Sequence, residues 1–467
     1  MMIRQLIAML DNSLLSRGRK GRSRRTMAAA LSPVLLTALL TMGAAPAWAD
    51  AGASGASSPA SMPHLGKGSQ LRAMMERVWR ENPAVQAAKA AVEASKASAK
   101  QASQPLYNPI GGVSYEHSVN NNTYIGFTQS VDWNDKRDLY TSISRDSLSA
   151  ARAQYEQVRL KTAVTVLNTL AQYNMTRRVA DITRRRVELM RRFADLAKRR
   201  YEAGDIGATS VDLARLALSE ALFRDTNART KLNRAKNALS AASGFTLTHW
   251  PDLPNAPPAL ASHVDTEALV THLPSLRALQ ARIQASRGQI DLARRKTLPD
   301  PTFGLRGGRS VGTNKSTALA EITLSIPLYV RRHYTAKVTV ADQKTLRLEQ
   351  TAQNTYRHAR AALASATQNY RLITDTWRHW QKSGRGSLTD RLELLERMWR
   401  AGELNATQYL VQVKQGLTTQ IAAARIWGRS WSAWATWLGA AGKMDAWVRP
   451  DVDAGPGDGL TKQGSTR

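Results

Sequence analysis

Two short stretches repeat the same order of residue types: Tyr201-Glu202-Ala203-Gly204-Asp205-Ile206 and Trp399-Arg400-Ala401-Gly402-Glu403-Leu404. Each has an aromatic residue, a glycine three positions on, then an acid and an aliphatic. Glycine takes the left-handed backbone of a helix end at little cost, so both stretches predict helix-closing turns. The residues after the glycine predict more: an exposed Ile206 or Leu404 beside a charge is a docking knob for a partner hairpin. Patterns for catalysis are missing. The chain has no nucleophile elbow, phosphate loop or His-Glu-x-x-His zinc helix, and its eight histidines are scattered. Gly307-Gly308 follows a strand pattern but opens no helix, which leaves a dinucleotide site unsupported. The absence of cysteine excludes disulfides, thiolate metal sites, a Cys nucleophile and a cysteine-linked lipid. A protein that is not an enzyme, with no catalytic residues, no cofactor and no metal, is expected.

The elements that must position these turns occur twice. Asn82-Pro83-Ala84-Val85 corresponds to Leu273-Pro274-Ser275-Leu276, Leu106-Tyr107-Asn108-Pro109 to Leu298-Pro299-Asp300-Pro301, and the two glycine turns to each other, always in the same order. That is the mark of a duplication. A first repeat over 71–248 and a second over 266–445 are expected, joined by a linker over 249–265 that contains Pro251, Pro254, Pro257 and Pro258. Each repeat opens with a helix, over Leu71–Ala102 or Thr266–Arg295, and then switches to period two. Hairpins are expected over 109–133 and 301–328. Val113 and Tyr115, Ile125 and Phe127, and Leu324 and Ile326 belong to the alternating apolar sets that would face lipid. Four strands of about ten residues have the length that crosses an outer membrane.

After each hairpin comes a helix with no strong breaker, Asn134 to Glu202 and Arg332 to Trp399, although Ser383-Gly384-Arg385-Gly386-Ser387 can interrupt the second. At 1.5 Å per residue the first would be roughly 100 Å long, too long for one core to bury. Val164, Leu167, Ala171, Val179, Ile182 and Leu189 form a seam for a partner helix, expected over Ser210–Ser243 beyond a tip at 203–207; the second tip lies at 401–406. Trp427, Trp431, Trp434 and Trp437 lie on nearly one stripe, an aromatic seam.

Composition places the chain in an envelope. Only 5 Phe occur among 43% hydrophobic residues, which suits long helices better than a thick core. Basic residues from Arg17 to Arg25, an apolar run from Ala28 to Ala45 and Ala47-Trp48-Ala49 make 1–49 a secretory signal, followed by a disordered leader at 50–70; residues 446–467 are expected to be a flexible tail. The net charge of +30 falls to +24 without the signal. The run Arg184, Arg185, Arg186, Arg191, Arg192, Lys198, Arg199 and Arg200 reads as a solvated face.

Two copies of helix, β-hairpin, long helix, glycine turn and long helix, with Arg-Tyr-x-x-Gly at Arg200–Gly204, resemble the TolC outer-membrane efflux family over about Leu71–Lys443. The turn Tyr201-Glu202-Ala203-Gly204-Asp205-Ile206 is most similar to the CzcC-like heavy-metal branch. The resemblance implies a mainly α fold with a small β part, in a homotrimer whose strands make one twelve-stranded barrel in outer-membrane lipid. A periplasmic α-helical barrel would continue it. It further implies a passive exit duct for small molecules or metal ions, localised to the outer membrane and opened by a periplasmic adaptor (membrane fusion) protein. An inner-membrane pump of the RND or related class would drive export. The adaptor would meet the tips at Tyr201, Gly204, Asp205, Ile206, Trp399, Gly402, Glu403 and Leu404. Family members often carry an acid six positions after the turn glycine, where it helps close the tube. Here those positions are Ser210 and Gln408, with Asp212 out of register, so an aspartate ring is not expected and these three are the tip-gating candidates. An outlet for type I protein secretion would use the same channel. A basic coiled coil binding nucleic acid would explain the charge but neither the signal nor the strands, and no nucleic acid partner is expected.

Overall fold

The computed structural model describes residues 65–66, 69–312, 315–328, 333–383 and 385–449. The expected signal, most of the leader and the end of the tail lie outside them. The first repeat opens with α1 (Gln70–Glu81) and α2 (Pro83–Ala102), not with one helix over 71–102. The break is chemical: Pro83 cannot donate to the helix ladder, so α1 ends there, and the Asn82 side chain caps Ala84 N at 3.0 Å to start α2. The second repeat is split likewise, into α5 (Thr266–Thr271) and α6 (Pro274–Arg295), with Pro274 opening α6 but no side-chain cap at Leu273.

Strands β1 (Ile110–His117), β2 (Asn121–Ser130), β3 (Thr302–Val311) and β4 (Ser316–Ser325) form one antiparallel sheet in the order β1-β2-β3-β4, which joins the hairpins of both repeats. The first hairpin turns more tightly than its four polar residues suggest, because Asn121 and Asn122 pair in the ladder with His117 and Glu116. Val131 and Trp133 lie beyond the end of β2, and Ile326 lies beyond β4.

The rods are α3 (Lys136–Glu202) with α4 (Ala208–Ser243), and α7 (His333–Ser383) continued by α8 (Arg385–Ala401) with α9 (Ala406–Ala441). The Asp132 carboxylate receives the amides of Lys136 and Arg137 and starts α3. On α4 the buried positions are mostly small, Ala214, Ala217, Ala221, Ala228 and Ala235 among them, a stripe that brings two helix axes close. Chain order continues past 445: Trp447 and Val448 in α10 (Met444–Val448) are buried, and the Trp447 carbonyl accepts from Leu65 N at 2.9 Å. The tail boundary therefore moves toward the C-terminus, because Trp447 completes an aromatic core.

That core sits at mid-rod around Leu167, Leu170, Tyr370, Trp427, Trp431 and Trp434. The Pro-rich linker crosses it as an acceptor rail. Pro254 O accepts from Trp427 Nε1 at 3.1 Å and Trp431 Nε1 at 3.0 Å, and Asn255 O accepts from Trp377 Nε1 at 2.8 Å. Linker carbonyls freed from any helix thus satisfy buried indoles.

Candidate functional site

Both glycine turns close their helices with left-handed glycines, Gly204 at φ 81° and Gly402 at φ 83°. Asp205 N donates to Arg200 O at 2.8 Å and Glu403 N to Met398 O at 3.0 Å, the same helix-end bond in both repeats. The next helices start differently. Gly207 precedes α4 without a side-chain cap, whereas Asn405 and Gln408 make a capping box at α9. Gln408 thus has a structural task, Asp212 is exposed and pairs with Arg215 at 3.6 Å, and Ser210 is half-buried.

The two tips meet in one small core. Phe193 lies 5.0 Å from both Trp399 and Tyr409, and Trp399 stacks on Tyr409 at 5.7 Å. Burial pushes the Tyr409 phenol above its usual pKa, and Glu396 adds to the effect. Ile206 and Leu404 pack half-buried against this core. They are not the exposed knobs expected from sequence, since a three-ring cluster beneath the turns offers them more apolar contact than solvent does. The aromatic positions have also diverged: Trp399 is 2% exposed and its counterpart Tyr201 is 49% exposed. Arg200 ties the tips together, donating through Nη1 to Trp399 O at 3.2 Å with its guanidinium 5.2 Å from the Trp399 ring. Arg192 pairs with Glu396 at 3.3 Å. Within the basic run Arg186 departs from the solvated-face expectation. It is buried, burial pushes its pKa below the usual value, and its nearest acid, Glu220, is 3.5 Å away. The surface left at the tips is Tyr201, Gly204, Asp205, Gly402 and Glu403, all exposed.

The second candidate surface is the sheet, whose two faces differ. Register puts Val113, Ile125, Gly307 and Ala320 in one row, Phe127, Leu305 and Ile322 in the next, and Phe303 with Leu324 beyond, so these side chains share a face with Tyr115. Ile326, one residue past β4, is exposed as well. The opposite face carries Ser114, Glu116, Tyr124, Thr128, Arg306, Glu321 and Thr323, with Ile110 and Leu319 among them. Curvature separates the faces further. On the polar face a Cβ at Gly126 would stand 2.7 Å from Arg306 Cγ, one at Gly308 2.8 Å from Tyr124 Cδ1 and one at Gly304 3.1 Å from Thr128 Cγ2. On the apolar face Gly111 and Gly307 look into open space, as Gly112 does on the polar side of edge strand β1. Side chains converge on a concave wall, so the crowded polar face is the concave one and the apolar face is convex.

Among the described residues no helix is long and apolar enough to cross a membrane, and no three His, Asp or Glu side chains gather as a metal site.

Residues 75–245 match the family model described as outer membrane efflux protein, which bears out over the first repeat the resemblance drawn from the motifs. Three solved structures share the fold. The outer membrane protein VceC from Vibrio cholerae is 16% identical, with 80% of this chain and 96% of that one covered at a TM-score of 0.64. The Campylobacter jejuni CmeC outer membrane channel is 14% identical, with 83% and 90% covered at 0.68. The open-state MtrE outer membrane channel of Neisseria gonorrhoeae is 15% identical, with 80% and 89% covered at 0.62. No curated protein sequence matches the chain.

Proposed function

We propose that this chain, which carries the outer membrane efflux signature in its first repeat and the fold of such channels along most of its length, is one protomer of a trimeric exit duct in the outer membrane. The observation that carries this reading is the sheet. Its convex face is mainly apolar and exposed, its concave face is mainly polar, and the outer edges of β1 and β4 have no partner strand among the described residues. In hydrocarbon an open edge leaves backbone groups unsatisfied, so a four-stranded sheet is membrane-competent only when copies close it. Three copies supply twelve strands with lipid outside and water inside, and the rods continue the passage into the periplasm.

The chain carries no nucleotide or ion-coupling motif, so the energy for export comes from an inner-membrane pump, and small molecules or metal ions pass through the duct. A periplasmic adaptor docks on the tips. Because Ile206 and Leu404 are tucked under the turns, the adaptor meets Tyr201, Asp205 and Glu403, with the aliphatics fixing the turn shape from below. One experiment tests both levels. Wild type should fractionate with the outer membrane, run as a trimer that boiling converts to monomer, and crosslink to its adaptor. A Tyr201→Ser, Asp205→Lys, Glu403→Lys variant should insert as the same trimer while losing the crosslink and export. A folded, monodisperse monomer in detergent overturns the duct; a variant that docks and exports like wild type overturns the tips as the docking surface.

A further inference from the structure

The convex face changes character along its strands. Toward the rods it is apolar, with Phe303, Leu305 and Leu324 exposed. Toward the hairpin turns it carries Arg309 and, one row on, Val311, both exposed, and Lys315 stands in the adjacent turn, also exposed. Four residues of strand, roughly 13 Å, separate Leu305 from Arg309. The acids of the sheet lie elsewhere: Glu116 and Glu321 are on the concave face, where Glu321 approaches Arg306 at 4.0 Å. Register gives this level a second marker, because Tyr115, Thr123, Arg309 and Ala318 share one row. An exposed tyrosine where an apolar band ends is the mark of a membrane–water boundary. An arginine facing outward would be costly in hydrocarbon and is favourable among headgroups. The Ser316 hydroxyl accepts from Arg309 Nε, which holds the guanidinium and leaves both Nη groups for a forked contact with phosphate oxygens.

We propose that Arg309 on the convex face, with Lys315 in the exposed turn above it, forms a basic rim at the turn end of the barrel, repeated in each protomer, that binds the phosphate of anionic lipid headgroups in the outer leaflet. This rests on the barrel reading. The test reconstitutes the full-length trimer in nanodiscs of phosphatidylglycerol and phosphatidylcholine in equal parts and counts retained lipid by native mass spectrometry. Wild type should retain the anionic lipid with a preference of roughly tenfold. Arg309→Ser with Lys315→Ser should erase the preference and keep the heat-labile trimer, while Arg306→Ser on the concave face should leave it unchanged. If the double variant fails to assemble, Arg309→Gln alone should lower the preference and Arg309→Lys should keep most of it. Equal retention of both lipids by wild type, or an undiminished preference in the variants, overturns the proposal. So does full displacement of the lipid by inorganic phosphate, which would mark a free-phosphate site. A wild-type chain that enters no nanodisc fails the barrel reading instead.

Discussion

Asp300 shows how much a single side chain holds where the strands meet the rods. It sits two residues before β3 and is buried; its carboxylate lies 2.9 Å from Lys136 Nζ and accepts from Tyr107 Oη at 2.6 Å and from Asn134 Nδ2 at 3.2 Å. Lys136 also donates to Leu298 O at 2.9 Å. Burial alone would raise the Asp300 pKa, but the hydrogen bonds from Tyr107, Lys136 and Asn134 outweigh it, and the group is held below its usual value. The stability it contributes is therefore fully present above the unfolded aspartate value of about 3.9 and is lost as pH falls through the lower folded value. Trimer melting temperature should change little from this group between pH 7 and about 5, where its full contribution is present, and drop below about 4. Asp300→Asn should lower stability by about 3 to 5 kcal/mol at neutral pH, because Lys136 is left buried without a counter-charge, and should flatten the acid limb. A variant with the wild-type melting profile would remove Asp300 from this role. Sequence placed Asp300 within a repeat motif but gave it no task. Tyr107, Asn134 and Lys136 all reach it across more than 160 residues, and an acid between prolines otherwise reads as a turn former. The tip residues failed in the opposite direction. Ile206 and Leu404 were legible as aliphatics after a turn, yet their exposure depended on Phe193, Trp399 and Tyr409, brought together from three helices.

At the scale of elements, the sheet offers two adjacent positions that point opposite ways. Ile125 is on the convex face in the row of Val113, and Tyr124 is on the concave face in the row of Ser114 and Gly308. Arg306 already occupies the concave wall. Ile125→Arg should cost about 2 to 4 kcal/mol of membrane stability, and Tyr124→Arg much less, because the lumen keeps the guanidinium hydrated. Urea unfolding from liposomes measures the difference, and equal tolerance at both positions would refute the face assignment. The faces were legible because period two is a direct consequence of strand geometry. Strand ends were less so: Asn121 and Asn122 looked like turn residues, and only pairing with His117 and Glu116 shows them to be ladder members. The rods illustrate the same limit. Apolar spacing marks Leu167 and Ala171 but not Asn174, Thr176 and Thr183, which are buried in the same rod. Those side chains donate to carbonyls of the preceding turn, Asn174 to Leu170 O at 3.1 Å and Thr176 to Gln172 O at 2.9 Å, so they enter a helix interface already satisfied.

At the scale of the whole molecule, closure decides whether the parts make a duct. The strand order β1-β2-β3-β4 is antiparallel throughout, so β1 and β4 run in opposite directions. Joining β4 of one protomer to β1 of the next is then also antiparallel, and the ladder continues without a parallel seam. An odd number of strands per protomer would have broken this. The duplication was visible in sequence as two hairpins, but their union into one sheet was not, because β2 and β3 pair across roughly 180 residues that carry no periodic signal of contact. Closure can be read chemically because the chain contains no cysteine, so engineered pairs give no background. Ser114→Cys on β1 would be combined with single cysteines walked along Ser316–Ser325 on β4. Disulfides form only where Cα atoms lie within about 4.4 to 6.8 Å, so bonding should be confined to one position and its nearest cross-strand neighbours. At that register, oxidation should turn the boiled monomer into a ladder ending at a covalent trimer, because each protomer offers one β1 and one β4 edge and a closed ring joins all three. A ladder that stops at dimer would mean that the edges pair without closing. No bond at any of the ten positions would mean that β1 and β4 do not meet at all.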